Sequence, residues 1–147
     1  MKIIKDTLDF SIPEMSAITL GKFDGIHKGH QKLMNRVLEK KDQGLKSVVF
    51  TFGQMPGTNI YGKGRTILTC AERRIHLEAM GIDYMIECPF VPEIIQMEPE
   101  QFVKKIQRKR KTNMKYRLDI WINRNPHATY EDDDIKALVK IFKEDYG

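Results

Sequence analysis

Two histidines, His27 and His30, stand three residues apart in the segment GKFDGIHKGH, which covers positions 21–30. A short apolar run precedes this segment and an amphipathic stretch follows it, so we predict a strand, a tight loop and the first turn of a helix. At this spacing the two imidazoles face one side and can reach the same phosphate group. Unpaired backbone amides and the positive end of the helix dipole favour an anion at that point.

Glycines at positions 21, 25 and 29 would let a ligand approach the backbone, because a Cβ atom there would obstruct it. The alternative is that the two histidines are exposed loop residues beside a glycine-rich turn, and a short H-x-G-H motif alone does not exclude it. The strand before the motif and the helix after it favour the anion site.

The chain has 147 residues, of which 41% are hydrophobic, so we predict a single domain over 1–147 with a real core. No apolar run is long enough to cross a bilayer, and the N-terminus lacks the apolar region of a signal peptide. We therefore expect a cytoplasmic protein without a membrane partner. Cys70 and Cys88 are far apart and belong to no Cys/His cluster, so we expect free buried thiols and no metal site.

The net charge of +5 comes from one local cluster, because six basic residues lie between positions 107 and 117: Arg108, Lys109, Arg110, Lys111, Lys115 and Arg117. A nucleic-acid-binding domain usually spreads its basic residues over a face and interleaves aromatic residues for stacking. An RNA- or DNA-binding module is therefore the weakest of our hypotheses, and we expect no nucleic-acid partner.

The order of apolar segments predicts a parallel sheet. We predict a short edge strand at 2–4, a central strand at 16–20 and a further strand at 45–52. Between the last two lies a helix that ends near Gly44, with an apolar stripe of Leu33, Met34, Val37 and Leu38. A strand, a helix and a strand of these lengths form a βαβ unit, so the predicted fold class is α/β with helices on both faces of the sheet.

A loop rich in glycine and proline follows Phe52; it contains Gly53, Pro56, Gly57, Gly62 and Gly64. Ligands of open α/β sheets bind beyond the carboxyl ends of the strands, so we predict that this loop borders the same crevice as the histidines. Lys63 and Arg65 are candidate phosphate contacts in the loop. The alternative that both are solvated loop charges stays open.

Thr69 and Glu72 form a predicted capping box, which starts a helix at Cys70 that ends at Gly81. The segment 82–87 is predicted to be the third parallel strand of the sheet. A further helix is predicted to open at Pro99, with a buried stripe of Phe102, Val103 and Ile106.

The string GKFDGIHKGH resembles the signature G-x-F-D-G-x-H-x-G-H of the bacterial FAD synthetases. These are the FMN adenylyltransferase modules of bifunctional riboflavin kinase/FAD synthetase, within the H-x-G-H nucleotidyltransferases. A second stretch, LTCAERRIHLEAMGIDYMIECPF followed by MEPEQFVKKI, resembles the family pattern of L-T, an amphipathic helix, G-I/V-D-Y, P-F and S-P-E-E-F. The resemblance covers about residues 15–106 and implies a Rossmann-like nucleotidyltransferase fold.

The resemblance implies that FMN attacks the α-phosphorus of ATP, which gives FAD and pyrophosphate, with Mg²⁺ on the polyphosphate. Imidazolium groups and helix amides can neutralise charge on the transferring phosphate, and the family assigns this catalytic role to His27 and His30. The nucleotide-binding residues implied are Gly21, Lys22, Phe23, Asp24 and Gly29. The partners would be small-molecule nucleotides, and the oligomeric state is left open.

Three parts of the chain depart from the family pattern. TFGQMP replaces T-F-x-P-H-P at 51–56, and 107–133 lacks the motif G-x-D-F-x-F-G, through divergence or compensated frameshifts. The sequence also stops at Gly147, before the family's I-S-S-T-x-I-R segment, and we expect an incomplete fold there and no riboflavin kinase domain. Two hypotheses follow: an FMN adenylyltransferase-like enzyme with impaired activity, or a non-catalytic remnant that binds nucleotide or flavin.

Overall fold

The computed structural model describes residues 1–5, 7–53, 67–89 and 91–108. Within these ranges the chain forms a four-stranded parallel sheet with helices on both faces, which confirms the predicted fold class. Most of the glycine-rich loop, with Lys63 and Arg65, lies outside the described residues. The basic cluster beyond Arg108 and the region after it lie outside them too.

The sheet consists of β1 (Lys2–Lys5), β2 (Ser16–Leu20), β3 (Lys46–Phe52) and β4 (Tyr84–Cys88). All neighbours are parallel, in the order β1-β4-β3-β2. The predicted central position of β2 differs from this order, because β2 pairs with β3 alone among the described strands. The side chains of β4 are buried throughout, as expected for a parallel strand covered on both faces.

The described helices are α1 (Lys28–Glu39), α2 (Cys70–Ala79), α3 (Pro92–Ile95) and α4 (Pro99–Arg108), and a 3₁₀ turn over Lys40–Gln43 extends α1. Gly44, with a φ of 77°, ends this turn in the left-handed conformation that glycine adopts without steric cost. The short helix α3 was not predicted from the sequence. Among the described residues no helix is long and apolar enough to cross a membrane.

Side chains of alternate strand residues pack into two hydrophobic cores, one on each face of the sheet. The core under α1 and α2 contains Phe23, Ile26, Leu33, Met34, Val37, Val49, Leu77 and Met85. The core under α4 contains Phe10, Ile12, Ile18, Val48, Phe50, Ile86, Phe102 and Ile106. The two cores fix the starts of α1 and α2 at the carboxyl edge of the sheet, where the sequence places the histidine motif.

Candidate functional site

The loop between β2 and α1 is held in a constrained conformation. The Gly21 amide donates to the Phe50 carbonyl (3.1 Å), so the loop leaves β2 still attached to β3. Phe23 and Ile26 have φ values of 50° and 38°, which non-glycine residues rarely adopt. Both side chains are buried in the core under α1, and that burial offsets the backbone strain. Such strained backbone is common at functional sites.

The glycines of the motif are also required by the packing of this chain. A Cβ atom on Gly21 would lie 2.8 Å from the Phe23 ring, and one on Gly29 would lie 3.1 Å from the His27 ring. Gly25 has a φ of 80°, which favours glycine, and a Cβ there would meet the Ile67 side chain at 3.0 Å. The approach of a ligand to these glycines stays a prediction.

His27 caps the start of α1. Its backbone is extended, and its Nδ1 atom accepts a hydrogen bond from the His30 amide at 3.4 Å. Because Nδ1 accepts, the ring proton of a neutral His27 lies on Nε2, so that Nε2–H is available to donate to a ligand. The His27 and His30 rings stack with centroids 3.7 Å apart and an interplanar angle of 22°. The structure thus brings together the two imidazoles that the i, i+3 spacing predicted on one side.

His30 is buried, with only 6% of its surface exposed, and the edge-to-face ring of Phe23 lies 5.3 Å from it. Its Nδ1 atom is buried and has no hydrogen-bond partner among the described residues. Burial, and secondly the neighbouring His27, lower the pKa of His30 to about 4, against the opposing effect of the Asp24 carboxylate. With this lowered pKa His30 is neutral at pH 7 in the free protein.

Two of the residues expected to line the nucleotide bind other parts of the chain. Oδ1 of Asp24 accepts the amides of Ile67 (2.8 Å) and Leu68 (3.1 Å), which lead into α2. The Lys22 carbonyl accepts from Oγ1 of Thr51 at 3.1 Å, at the end of β3. Both contacts anchor the motif loop to its neighbours at the sheet edge.

Arg73, which the sequence analysis did not single out, belongs to the same edge. It is 1% exposed, and its guanidinium donates to the carbonyls of Lys22 and Phe52, each at 3.1 Å. The signal in the sequence was a basic residue one helical turn before Leu77, on the buried face of α2. A charged side chain on an apolar stripe indicates a buried polar partner.

A partly buried ion pair lies at the same edge of the sheet. Glu87, 3% exposed at the end of β4, forms a two-point contact with Arg74 of α2. One bond joins Arg74 Nε to Oε1 at 2.7 Å and the other joins Nη2 to Oε2. Because both oxygens are engaged, Glu87 adds little free negative charge to this edge of the sheet.

The family model of FAD synthetases matches residues 9–116 of the chain, a range that includes both histidines. The chain belongs to the FAD synthetase family. This confirms the assignment made from the histidine motif, and the matched range includes three of the four described strands, β2, β3 and β4. The match does not assign a role to any single residue.

Curated relatives agree with the family at low sequence identity. The chain is 32% identical over 94 residues to an FAD synthetase of Listeria monocytogenes, which covers 60% of this chain and 37% of the relative. It is 27% identical over 110 residues to a bifunctional riboflavin kinase/FMN adenylyltransferase of Buchnera aphidicola, which covers 72% of this chain and 35% of the relative. The matched regions thus span slightly more than a third of these two proteins.

Among solved structures, a macrolide-efflux protein from Streptococcus pneumoniae matches with a TM-score of 0.63. The match covers 94% of this chain and 47% of that chain at 23% identity. A likeness at this identity shows the fold, and it agrees with the parallel α/β architecture described above.

Proposed function

We propose that this chain transfers the adenylyl group of ATP to FMN, which gives FAD and pyrophosphate. An oxygen of the FMN phosphate forms a bond to the α-phosphorus of ATP while the bond to pyrophosphate breaks, so no protein nucleophile is needed. The observation that carries the proposal is the stacked pair of His27 and His30 at the start of α1, at the edge of the sheet where ligands of this architecture bind. Membership of the FAD synthetase family supplies the substrates.

The proposed site acts through hydrogen-bond donors fixed before the substrate arrives. Nε2–H of His27 and the imidazole of His30 would donate to phosphate oxygens, together with the first amides of α1. A phosphate group beside His30 favours its charged form and therefore raises its pKa above that of the free protein. The site would gain positive charge as the polyphosphate binds.

Mg²⁺ fits this proposal as part of the substrate. Among the described residues there is no group of three His, Cys, Asp or Glu side chains that could hold a metal ion. Asp24 already accepts two backbone amides, and Glu87 is paired with Arg74. In this proposal the ion is carried by the phosphate oxygens of ATP, which is a usual mode of magnesium binding.

The second candidate is a protein that binds nucleotide or flavin without catalysis. It is favoured by Met55 and Gln54, which stand where the family pattern T-F-x-P-H-P has its histidine and first proline. Both candidates use small nucleotides as partners, so neither requires a nucleic acid or a membrane. The cytoplasmic location and the single domain over 1–147 stay predictions.

The test is FAD formation by the purified chain with ATP, FMN and Mg²⁺, followed by chromatography and by release of pyrophosphate. Replacing His30 with Gln should lower the rate at least about 100-fold, because a preorganised donor to the transferring phosphate is lost. His76→Gln is the matched control, since His76 is exposed on α2.

Three other outcomes separate the candidates. Saturable ATP or FMN binding without FAD formation would favour the binding protein. If the chain shows no binding of ATP or FMN and no FAD formation, both candidates are rejected. A His30→Gln protein as active as its parent would show that the catalytic role of this pair is wrong.

A further inference from the structure

Arg73 joins the two loops that leave the carboxyl ends of β2 and β3. Its Nη1 atom donates to the Lys22 carbonyl and its Nη2 atom donates to the Phe52 carbonyl, each at 3.1 Å. A second contact of Nη2 reaches the Cys70 sulfur at 3.4 Å. The side chain is 1% exposed, so these bonds form where water cannot replace them.

Arg73 contacts the histidine motif through the Lys22 carbonyl. Two donors converge on it, the Arg73 guanidinium and the Thr51 hydroxyl, both at 3.1 Å. The next residue, Phe23, has a φ of 50°, a conformation that persists only when its surroundings impose it. Fixing the carbonyl before Phe23 fixes the peptide plane from which this unusual conformation starts.

Phe23 connects the turn to the proposed catalytic pair. Its ring is 0% exposed, fills the space beside Gly21 and meets the His30 ring edge-on at 5.3 Å. A ring in this position excludes water from one side of His30 and limits the rotation of the imidazole. Release of the turn would hydrate and loosen His30.

We propose that Arg73 is a positioning residue that acts on His30 through the turn at Lys22. Its described contacts are with the carbonyls of Lys22 and Phe52 and with the Cys70 sulfur, so we expect its effect to be on the orientation and hydration of the imidazole. The consequence for catalysis rests on the proposed adenylyl transfer, whereas the effect on His30 itself can be measured without it.

The direct test is NMR of the ring of His30 in protein labelled at histidine. The parent should titrate with a pKa of about 4, with the ring facing His27 and the Asp24 carboxylate. Arg73→Met should raise this pKa by at least about one unit toward the ordinary value of about 6.5 and weaken the nuclear Overhauser contacts between Phe23 and His30. An unchanged pKa together with unchanged contacts in the folded variant would overturn the proposal.

The matched control removes charge from the same edge without touching Lys22. The double variant Arg74→Met, Glu87→Gln deletes the neighbouring ion pair of α2 and β4. It should leave the His30 pKa within about 0.3 units of the parent. An equal rise in this control would show that any loss of buried charge loosens the site, which would overturn a specific role for Arg73.

A second variant keeps the test decisive if Arg73→Met does not fold. Among the described residues, the Thr51 hydroxyl is the second donor to the Lys22 carbonyl; Thr51→Val removes it at nearly constant shape, and Thr51→Ser keeps a hydroxyl there. The valine variant should raise the His30 pKa by less than Arg73→Met does, and the serine variant should leave this pKa unchanged. Equal His30 pKa values in the valine and serine variants would count against the turn at Lys22 as the connection between Arg73 and His30.

Kinetics give the functional half of the test. If the parent makes FAD, Arg73→Met should lower kcat at least about tenfold while the KM for ATP changes less than about threefold, and Arg73→Lys should recover part of kcat. A rise in KM with unchanged kcat would overturn the positioning role. If the parent makes no FAD, the adenylyl-transfer proposal fails, and the His30 titration still decides the role of Arg73.

Discussion

Helices α1 and α2 both begin at the carboxyl edge of the sheet, yet their first turns are capped in opposite ways. Thr69 and Glu72 close the start of α2 with a complete capping box, in which Glu72 accepts the Thr69 amide at 2.8 Å. At α1 the cap is an imidazole, its bond to the His30 amide is 3.4 Å long, and the first turn has no acidic residue. One helix start is neutralised by the protein, and the other keeps its positive end.

Asp24 shows how the motif loop maintains this difference. It is the acidic residue of the segment before α1, and its Oδ1 accepts amides just before α2. The carboxylate therefore satisfies donors at the start of α2 instead of competing for those of α1. A helix start can therefore bind an anion when the nearby carboxylates are engaged elsewhere and do not neutralise its positive end.

The largest expected effect concerns the cost of keeping His30 neutral. Its pKa is about 4 in the folded protein and about 6.5 in the unfolded chain, so the unfolded chain binds more protons between these values. The free energy of unfolding should therefore fall by about 1 to 2 kcal/mol from pH 7 to pH 5, after allowance for partial solvent screening. Urea denaturation at both pH values measures it.

The control for this pH dependence is the pair of histidine variants. His30→Gln should remove most of the loss of stability between pH 7 and pH 5, and His76→Gln should retain it. If the His30→Gln protein loses as much stability as the parent, then burial of this imidazole is not the cause.

An acidic residue in the first turn of α1 should make this helix start resemble that of α2. Lys28 is exposed at the first position of α1, and Lys28→Glu places a carboxylate beside the positive helix end. The change should stabilise the fold by about 0.3 to 1 kcal/mol. It should weaken ATP binding about tenfold, because the new charge repels the phosphates. Calorimetric titration at low salt measures the affinity, and an unchanged affinity would place the nucleotide elsewhere.

The smallest effect is expected when the cap of α2 is removed. Thr69→Ala deletes the side chain that accepts the Glu72 amide at 3.2 Å, which should lower the free energy of unfolding by about 1 kcal/mol. ATP affinity should stay as in the parent, because this helix start is not the proposed phosphate site. Loss of ATP binding in a folded Thr69→Ala protein would make the distinction between the two helix starts untenable.

The features that the sequence predicted well depend on residues close together in the chain. The capping box needs only Thr69 and Glu72, and the placement of His27 and His30 on one side follows from one helical turn. Strands β3 and β4 were recognisable because parallel strands covered on both faces require continuous apolar runs. Local spacing was therefore sufficient for the fold class and for the proximity of the histidines.

The features that the sequence did not predict depend on long-range contacts. Arg73 meets a carbonyl 51 residues earlier in the chain, and Asp24 accepts an amide 43 residues later. The neutral state of His30 likewise arises from burial under Phe23, whose left-handed backbone has no sequence signature. These contacts determine how the histidines are held, and no spacing within the motif specifies them.

Polyphosphate should bind at the start of α1 and not at that of α2. The most direct measurement is a titration of the backbone amide NMR signals with Mg²⁺ and an ATP analogue whose α,β bridge cannot be cleaved. The amides of Gly29 and His30 should shift together and saturate, while those of Cys70 and Glu72 stay in place. Saturable shifts at α2 without any at α1, or no saturable shift at either helix, would contradict it.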